Sequence, residues 1–539
     1  MTMAKGLLPL LVAAAFVVDY VHYGGAKPVS ALLNFIVLCF VSFPALAGYR
    51  ILLYPRFFSP YRHLPSPNQG PLRKRLLNEP SFDEFAKWLD SIPNDGLICY
   101  RGILNAERLL ICKPAIAKEV FSEQAYSFEK SGFTIRMLQP LVGDMSLLVA
   151  DMEPHKNARK KMNPAFYPAV FRKLWPIFWD HSKQLAQTVL TAAETAEDSV
   201  IDISPFYQRV TLDIIGRAGF GLDLQALADP NNEFIVKYQS SFDPESWGIR
   251  RVLALLMSNR LTNLLLARNQ KNIELLDSIE FVKQQARKEV RRRQLQAEKV
   301  VRKDKYERDI LDTALSANLF SEAETVDMFT TFLAAGHETS ANVMKWMTLH
   351  LSQMPELQQK LREESRTVLP DSVSDVTDDR IAQLRLHHAV ILETLRRHPV
   401  VPVQKRVAAK DGLLVDGQHV NKGITFTLPV INFHNMKSLW GADADVFRPE
   451  RFLDEDITSK TGAELFKFAP FSHGPRQCIG KQFARNELVL LLAALMQSVE
   501  LTFAGVGKHR TSEPTKTDIQ PKVVLRLVNG VWVQCKPVT

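Results

Sequence analysis

Phe471-Ser-His-Gly-Pro-Arg-Gln-Cys-Ile-Gly480 decides how this chain is read, and Lys481-Gln-Phe-Ala-Arg-Asn-Glu-Leu-Val-Leu-Leu-Leu-Ala-Ala-Leu-Met496 follows it without a break. A single cysteine, Cys478, stands between two glycines and two residues after an arginine. Gly474 and Gly480 allow a tight turn and a close backbone approach to a surface that a side chain would block. Arg476 can meet a carboxylate with a two-pronged contact. The second segment reads as a buried helix whose N-terminus would lie beside the sulfur and favour its ionised form. A bare Cys-x-Gly would be a structural cysteine in a turn. The complete pattern suits one thiolate offered to a flat, anionic group.

Phe-x-x-Gly-x-Arg-x-Cys-x-Gly before an apolar helix closely resembles the haem-binding loop of the cytochrome P450 family. The resemblance implies haem b with iron axially ligated by Cys478, and Phe471, Gly474, Arg476 and Gly480 as cofactor-binding residues.

A second constellation lies upstream. From Ser321 to Leu351 the chain reads as one long helix, with Ser321 as its cap and Glu324 three residues on. Met328, Phe332, Ala335 and Thr339 share a face. In the middle stands Ala334-Ala-Gly-His-Glu-Thr-Ser340, where a mid-helix glycine costs about 1 kcal/mol relative to alanine and so calls for a packing or ligand reason. As packing, the small residues mark a helix crossing. As function, Ala335 and Gly336 leave room for a flat ring and a diatomic molecule. Thr339 can then bond back to a carbonyl and offer its hydroxyl, and Glu338 supplies an acid on a proton path. The segment resembles the family's oxygen-activation motif, which implies catalytic roles for Ala335, Gly336, Glu338 and Thr339. Met328, Phe329, Thr331 and Phe332 would then lie near the substrate, with the stretches 132–138 and 399–403 also lining the pocket.

Charged residues complete the frame. Glu393 and Arg396 are three apart on an apolar helix ending at Pro399, which suggests a buried pair in need of further partners. Phe447-Arg-Pro-Glu-Arg-Phe452 resembles the family segment whose arginine, here Arg451, completes that network. His155 and Arg159, four apart, and Arg406 fall where the family contacts the haem carboxylates, so they join Arg476 as cofactor-binding residues. His473 is read as structural.

Two apolar stretches open the chain, Gly6 to Val18 and Ala31 to Tyr49. The second carries no charge and spans roughly 28 Å as a helix, close to a bilayer's hydrocarbon thickness. Arginines at 50, 56, 62, 73 and 75 and Lys74 follow it, which predicts that the rest of the chain is cytosolic. The first stretch is a second span, an interfacial segment or a signal peptide; the last is disfavoured because the second stretch would still anchor the product. The expected organisation is a membrane anchor over 1–54, with 31–49 its clearest span, a stiff proline-rich hinge over 55–67, and a catalytic domain over 68–539. Such a hinge resembles that of microsomal family members and implies the endoplasmic reticulum membrane.

The composition, 46% hydrophobic and 23% charged, fits a sizeable core. Five sparse cysteines argue against a disulfide framework, and no zinc motif appears. The net charge of +9 includes the runs 287–293 and 300–305. These are interleaved with acids and nearly free of aromatics, so a solvated helix face is favoured over nucleic-acid binding.

The motifs, in the family's order, imply a mainly α-helical fold with small peripheral β-sheets. Lys522–Leu527 and Gly530–Cys535 are expected to pair as a hairpin around Asn529-Gly530. The implied activity is a monooxygenase that inserts one oxygen atom from O2 into a lipophilic small molecule, plausibly a secondary metabolite. Electrons derive from NADPH through a membrane-bound NADPH–cytochrome reductase, with cytochrome b5 as a further donor, docking where Lys481 and Arg485 lie. The rivals are an isomerase or dehydratase of the same fold, which needs no external electrons, and a non-catalytic haem-binding protein.

Overall fold

In the computed structural model an apolar helix runs from Pro28 to Gly48 and continues as a wider, π-type turn over Tyr49–Phe58. Ile36–Phe58 is long and apolar enough to cross a membrane, with mean hydropathy 2.0. The structure describes residue 21 and residues 28–242, 247–297, 308–316, 320–369, 376–454, 459–515, 518–521 and 524–538; the apolar stretch 6–18 and the basic run 300–305 lie outside them. The chain divides into two units, residues 1–112 and 113–539.

Within the first unit the helix passes through Pro55, where an extended hinge was expected. Proline has no N–H for the carbonyl one turn back. The Ile51 carbonyl accepts from Asn105 Nδ2, and Arg101 Nη2 donates to the carbonyl of Pro55 at 3.1 Å. The helix ends at Phe58 with Ser59 extended, and residues 65–71 belong to no helix or strand. Leu97–Arg101 and Glu107–Ile111 form an antiparallel hairpin, packed by Phe85, Trp88 and Tyr100.

The second unit is mainly α-helical, with small antiparallel sheets. Its spine is the helix Glu322–Leu351, capped by the reciprocal Ser321–Glu324 bonds that the sequence predicts. Helix Ser204–Phe220 crosses it at Gly336, where a Cβ would stand 2.7 Å from Ile215 Cγ1. Helix Lys481–Ser498, buried from Phe483 to Met496 apart from Ala484 and Arg485, is tied to the spine by Ser340 Oγ, which donates to Glu487 Oε2 at 2.5 Å. Helix Trp175–Glu194 packs on it through Phe178 and Phe483, with centroids 4.9 Å apart.

Glu393 and Arg396 on helix Arg385–Arg397 are fully buried. Arg396 donates to both carboxylate oxygens at 2.7 Å, Arg451 Nε donates at 3.2 Å, and the backbone N–H of Arg448 donates at 2.8 Å. Arg396 also donates to the carbonyls of His434, Ala444 and Val446. Every charge in this network is met by hydrogen bonds, the condition under which a buried ion pair is tolerated.

Strands Phe128–Lys130, Gln404–Ala408 and Thr425–Leu428 pair antiparallel, and their register sets Lys130 opposite Arg406. The C-terminal hairpin does not form. Asn529 and Gly530 do turn with positive φ (68° and 95°). Yet Leu525–Leu527 pairs with Ile519–Pro521, and Val531–Pro537 lies between Val499–Val506 and Val200–Asp202. The Val531 N–H is taken by Asp202 and Ser204, which draws the second strand into another sheet. Lys522 and Val523 lie outside the described residues. The basic run 287–293 sits on helix Gln270–Ala297, with Arg292 and Arg293 paired to Glu289 and Arg287 to Glu280.

Candidate functional site

The cysteine loop is shaped by its backbone. The Cys478 N–H donates to Phe471 O at 2.9 Å and the Gln477 N–H to Gly474 O at 3.0 Å. Gly474 has φ +78°, and a Cβ there would meet Phe121 O at 2.7 Å, so no side chain fits. At Gly480 a Cβ would meet only the Phe166 ring, at 4.0 Å. His473 Nε2 bonds the Phe468 carbonyl at 2.9 Å, a structural role.

Cys478 keeps accessible surface. Burial pushes its thiol up, while the Gly480 N–H and the Arg159 and Lys481 cations pull it down. The helix-terminus help read from the sequence is therefore present but outweighed by desolvation.

Around the loop the structure gathers cations. Arg159, on helix Met152–Met162, donates to the Gln477 carbonyl and to Asn163 Oδ1. Arg476 is buried and pairs with Asp151, with its guanidinium 5.0 Å from the Tyr126 ring centre. Its Nε and Nη1 are buried without partners, as is Arg406 Nε. Burial and Arg476 pull Arg406 down to about 10, and burial pulls Lys130 to about 7. His155, buried beside Tyr126 with 3.2 Å from the Tyr126 oxygen to its Nδ1, is held down to about 3 by burial and by Lys130, Arg476 and Arg159. Asp151, which caps the helix and accepts from the Lys130 N–H, is the carboxylate of this cluster. Phe471 is half-buried in the loop.

The spine helix meets this cluster through Phe166, whose ring lies 5.3 Å from that of Phe332 and touches the Gly480 position. Between Met328 and Leu349, only Ala335, Gly336, Glu338 and Thr339 escape full burial. Thr339 Oγ1 donates to the Ala335 carbonyl at 2.7 Å, the back-bond expected of it. A Cβ at Gly336 would meet Ile215, so its smallness serves the helix crossing. Met328 and Phe329 are also core residues, Phe329 stacking on Phe220 at 4.1 Å, and Thr331 is sealed against Ser146.

Glu338 forms an ion pair with Arg526 and has the buried Lys345 nearby. His337 is buried against Tyr238, with 3.3 Å from the Tyr238 oxygen to its Nδ1. Sequence reasoning missed Lys130, Asp151, Arg526, Tyr238 and Glu487. Glu487 is fully buried, one of its oxygens has no partner, and desolvation raises its pKa to about 8. A glutamate in so apolar a helix was a visible signal; the others belong to elements distant in sequence, strands for Lys130 and Arg526, a helix N-cap for Asp151 and the helix Glu233–Ser240 for Tyr238.

The residues fit a flat dianion with a thiolate-seeking metal: unpartnered guanidinium nitrogens for two carboxylates, a sulfur donor, and an open glycine face.

Comparison with known proteins agrees. The cytochrome P450 family profile matches residues 96–526. The chain is 32% identical to cytochrome P450 monooxygenase sphH of Aspergillus fumigatus, over 84% of each chain. It is 31% identical to cytochrome P450 monooxygenase FSL4 of Gibberella zeae, over 93% of this chain and 94% of that one. It is also 31% identical to cytochrome P450 monooxygenase FUM15 of Gibberella moniliformis, over 90% of each.

Proposed function

Because the chain belongs to the cytochrome P450 family of monooxygenases, we propose that it inserts one oxygen atom from O2 into a lipophilic small molecule of secondary metabolism, with NADPH-derived electrons passed on by a cytochrome reductase. The observation that carries this is the set of buried, partnerless nitrogens on Arg476, two residues before Cys478, and on its neighbour Arg406. Cys478 would ligate the iron of haem b, and the bound haem would supply the oxygen chemistry; a coordinating metal deprotonates a thiol outright. Arg406, Arg476, Arg159 and His155 would hold the carboxylates, with Lys130 adding charge and Phe471, Gly474 and Gly480 shaping the loop against the ring.

On the spine helix, Ala335 and Thr339 present the accessible strip. Thr339 Oγ1 gives its proton to the Ala335 carbonyl and so offers its oxygen lone pairs to a proton donor in the strip. Glu338 is the acid of this relay, and release from Arg526 would let its carboxyl turn toward Thr339. The half-buried Lys481 and Arg485 are a docking surface for the reductase, and the apolar helix is an anchor in the endoplasmic reticulum membrane with the catalytic unit cytosolic.

The test is the carbon monoxide difference spectrum of the reduced, full-length protein beside Cys478→Ala, followed by NADPH-dependent turnover with reductase. A thiolate-type Soret band lost in the variant, with turnover requiring NADPH, is expected. A spectrum indifferent to Cys478 overturns the ligand, and turnover without NADPH moves the chain to the isomerase class.

A further inference from the structure

Helices Gly132–Val142, Gly248–Leu256, Asn259–Leu265 and Gln270–Ala297 contribute to an open pocket of about 390 Å³, separate from the cysteine loop. Arg250 in its wall is only 2% exposed. Its Nη1 donates to Asn272 Oδ1 at 2.8 Å, and its guanidinium sits 5.9 Å from the Trp247 ring centre. Its Nε is buried with no partner. Burial lowers its pKa, and among the described residues no carboxylate offsets that.

Lys283 donates to the Pro140 carbonyl at 2.8 Å. Asn259 Oδ1 is a buried acceptor without a donor, although its Nδ2 donates to Arg136 O and Gln139 Oε1. Glu280 is the one carboxylate among the described residues of the lining, and Arg287 already pairs with it at 2.7 Å. The Lys283 charge is opposed by Asp327, Glu280 and Asp144, so the Arg250 guanidinium is the cation of this wall that has no carboxylate among the described residues, and a buried charge left unpaired is costly. Ile279 lines this pocket and also belongs to an apolar cluster with Trp247 and Ala334, the neighbour of Ala335 on the spine helix.

We propose that this pocket is a substrate-recognition subsite for a lipophilic molecule bearing a carboxylate: Arg250 binds the anionic oxygens and the apolar body lies on the Ile279–Trp247 side, toward Ala334. This deepens, and rests on, the reading of the chain as an oxidase of lipophilic molecules. A phospholipid headgroup offers similar anionic oxygens, and the test separates the two sources.

The experiment uses the haem-loaded full-length protein in phosphatidylcholine nanodiscs. Binding of radiolabelled dodecanoate and of dodecan-1-ol is measured by dialysis, with empty discs subtracted. Wild type should prefer the acid by roughly tenfold or more, the worth of a charge-assisted hydrogen bond. Arg250→Leu should abolish the preference, Arg250→Lys should retain part of it, and Lys283→Gln should reduce it by a smaller factor. A purely structural arginine would weaken both ligands alike. The carbon monoxide spectrum of each variant reports that its fold is kept, and Lys283→Gln serves should Arg250→Leu fail to fold. Equal affinity for acid and alcohol in wild type, or an acid preference that survives in the variants, overturns the proposal. Displacement of dodecanoate by phosphatidic acid in the discs reassigns the pocket to lipid and overturns the substrate role. Binding needs no NADPH, oxygen or turnover, so its failure is distinguishable from failure of the monooxygenase reading.

Discussion

Glu487→Gln isolates the energetic consequence of one buried carboxyl. Glu487 accepts from Ser340, has an unpartnered second oxygen, and lies among apolar side chains of its helix. Burial raises its folded pKa to about 8, whereas an unfolded glutamate titrates near ~4.3. The folded state therefore holds its proton more tightly. The stabilisation from that proton is complete below the unfolded pKa and is lost as pH rises through the folded one, at about 1.4 kcal/mol per pH unit. Between pH 5 and 7.5 the loss is about 3 kcal/mol, a large part of a typical domain's stability. Glutamine keeps the shape and the acceptor for Ser340 but cannot ionise. Its amide leaves a donor unmet, so the absolute stability of the variant is not the informative quantity. The difference between variant and wild type is: it should move in the variant's favour by about 3 kcal/mol across that range. Urea unfolding followed by tryptophan fluorescence at several pH values measures it, and other titrating groups cancel in the difference. Parallel stability curves for the two proteins would refute the reasoning and place a charged or hydrated carboxylate at this site.

Other perturbations probe the frame and the site. Glu393→Ala leaves the buried guanidiniums of Arg396 and Arg451 without their shared carboxylate and should cost about 3–5 kcal/mol, read as a lowered unfolding midpoint and little haem-loaded protein. Gly336→Val forces a side chain onto Ile215 and should cost about 1–3 kcal/mol; Ile215→Ala in the same chain should return part of the lost Tm, whereas a glycine needed only for ligand space would show no such rescue. Arg406→Leu and Arg476→Leu each remove a guanidinium with partnerless nitrogens and should speed haem transfer to apomyoglobin severalfold, with the Soret position of the remaining holoprotein unchanged.

What the sequence made legible follows from the range of each interaction. The spine helix could be read to its cap because Ser321 and Glu324 are close in the chain. The back-bond of Thr339 to Ala335 is likewise local. Arg451 was found only because a recognisable motif carried it. Arg526, which pairs with Glu338, sits in a short strand with no local signature, and only the folding of the C-terminal segment onto the spine makes the pair. Lys130 became part of the cation cluster through strand register with Arg406, a choice that neither segment encodes alone. The failed hairpin teaches the same lesson: the Asn529-Gly530 turn was correct, but Asp202 and Ser204 claimed the strand that follows it.

The motif Ala335-Gly-His-Glu-Thr-Ser340 thus divides into two kinds of residue. Gly336, His337 and Ser340 face protein: Ile215, Tyr238 and Glu487 respectively. Ala335, Glu338 and Thr339 keep accessible surface, and Gly336 keeps some as well. The first group comes from three separate contacts and fixes the rotation of the helix about its axis. A turn of about 100° per residue would carry Thr339 off the accessible strip and put a packing residue in its place. Small size at Gly336 and polarity at Ser340 therefore act on the chemistry through the helix's orientation, without touching a reactant. A substitution at either should change how Thr339 is presented before it changes what any reacting group can do, which is why the Ile215 rescue of Gly336→Val is the sharper test of the motif than loss of activity alone.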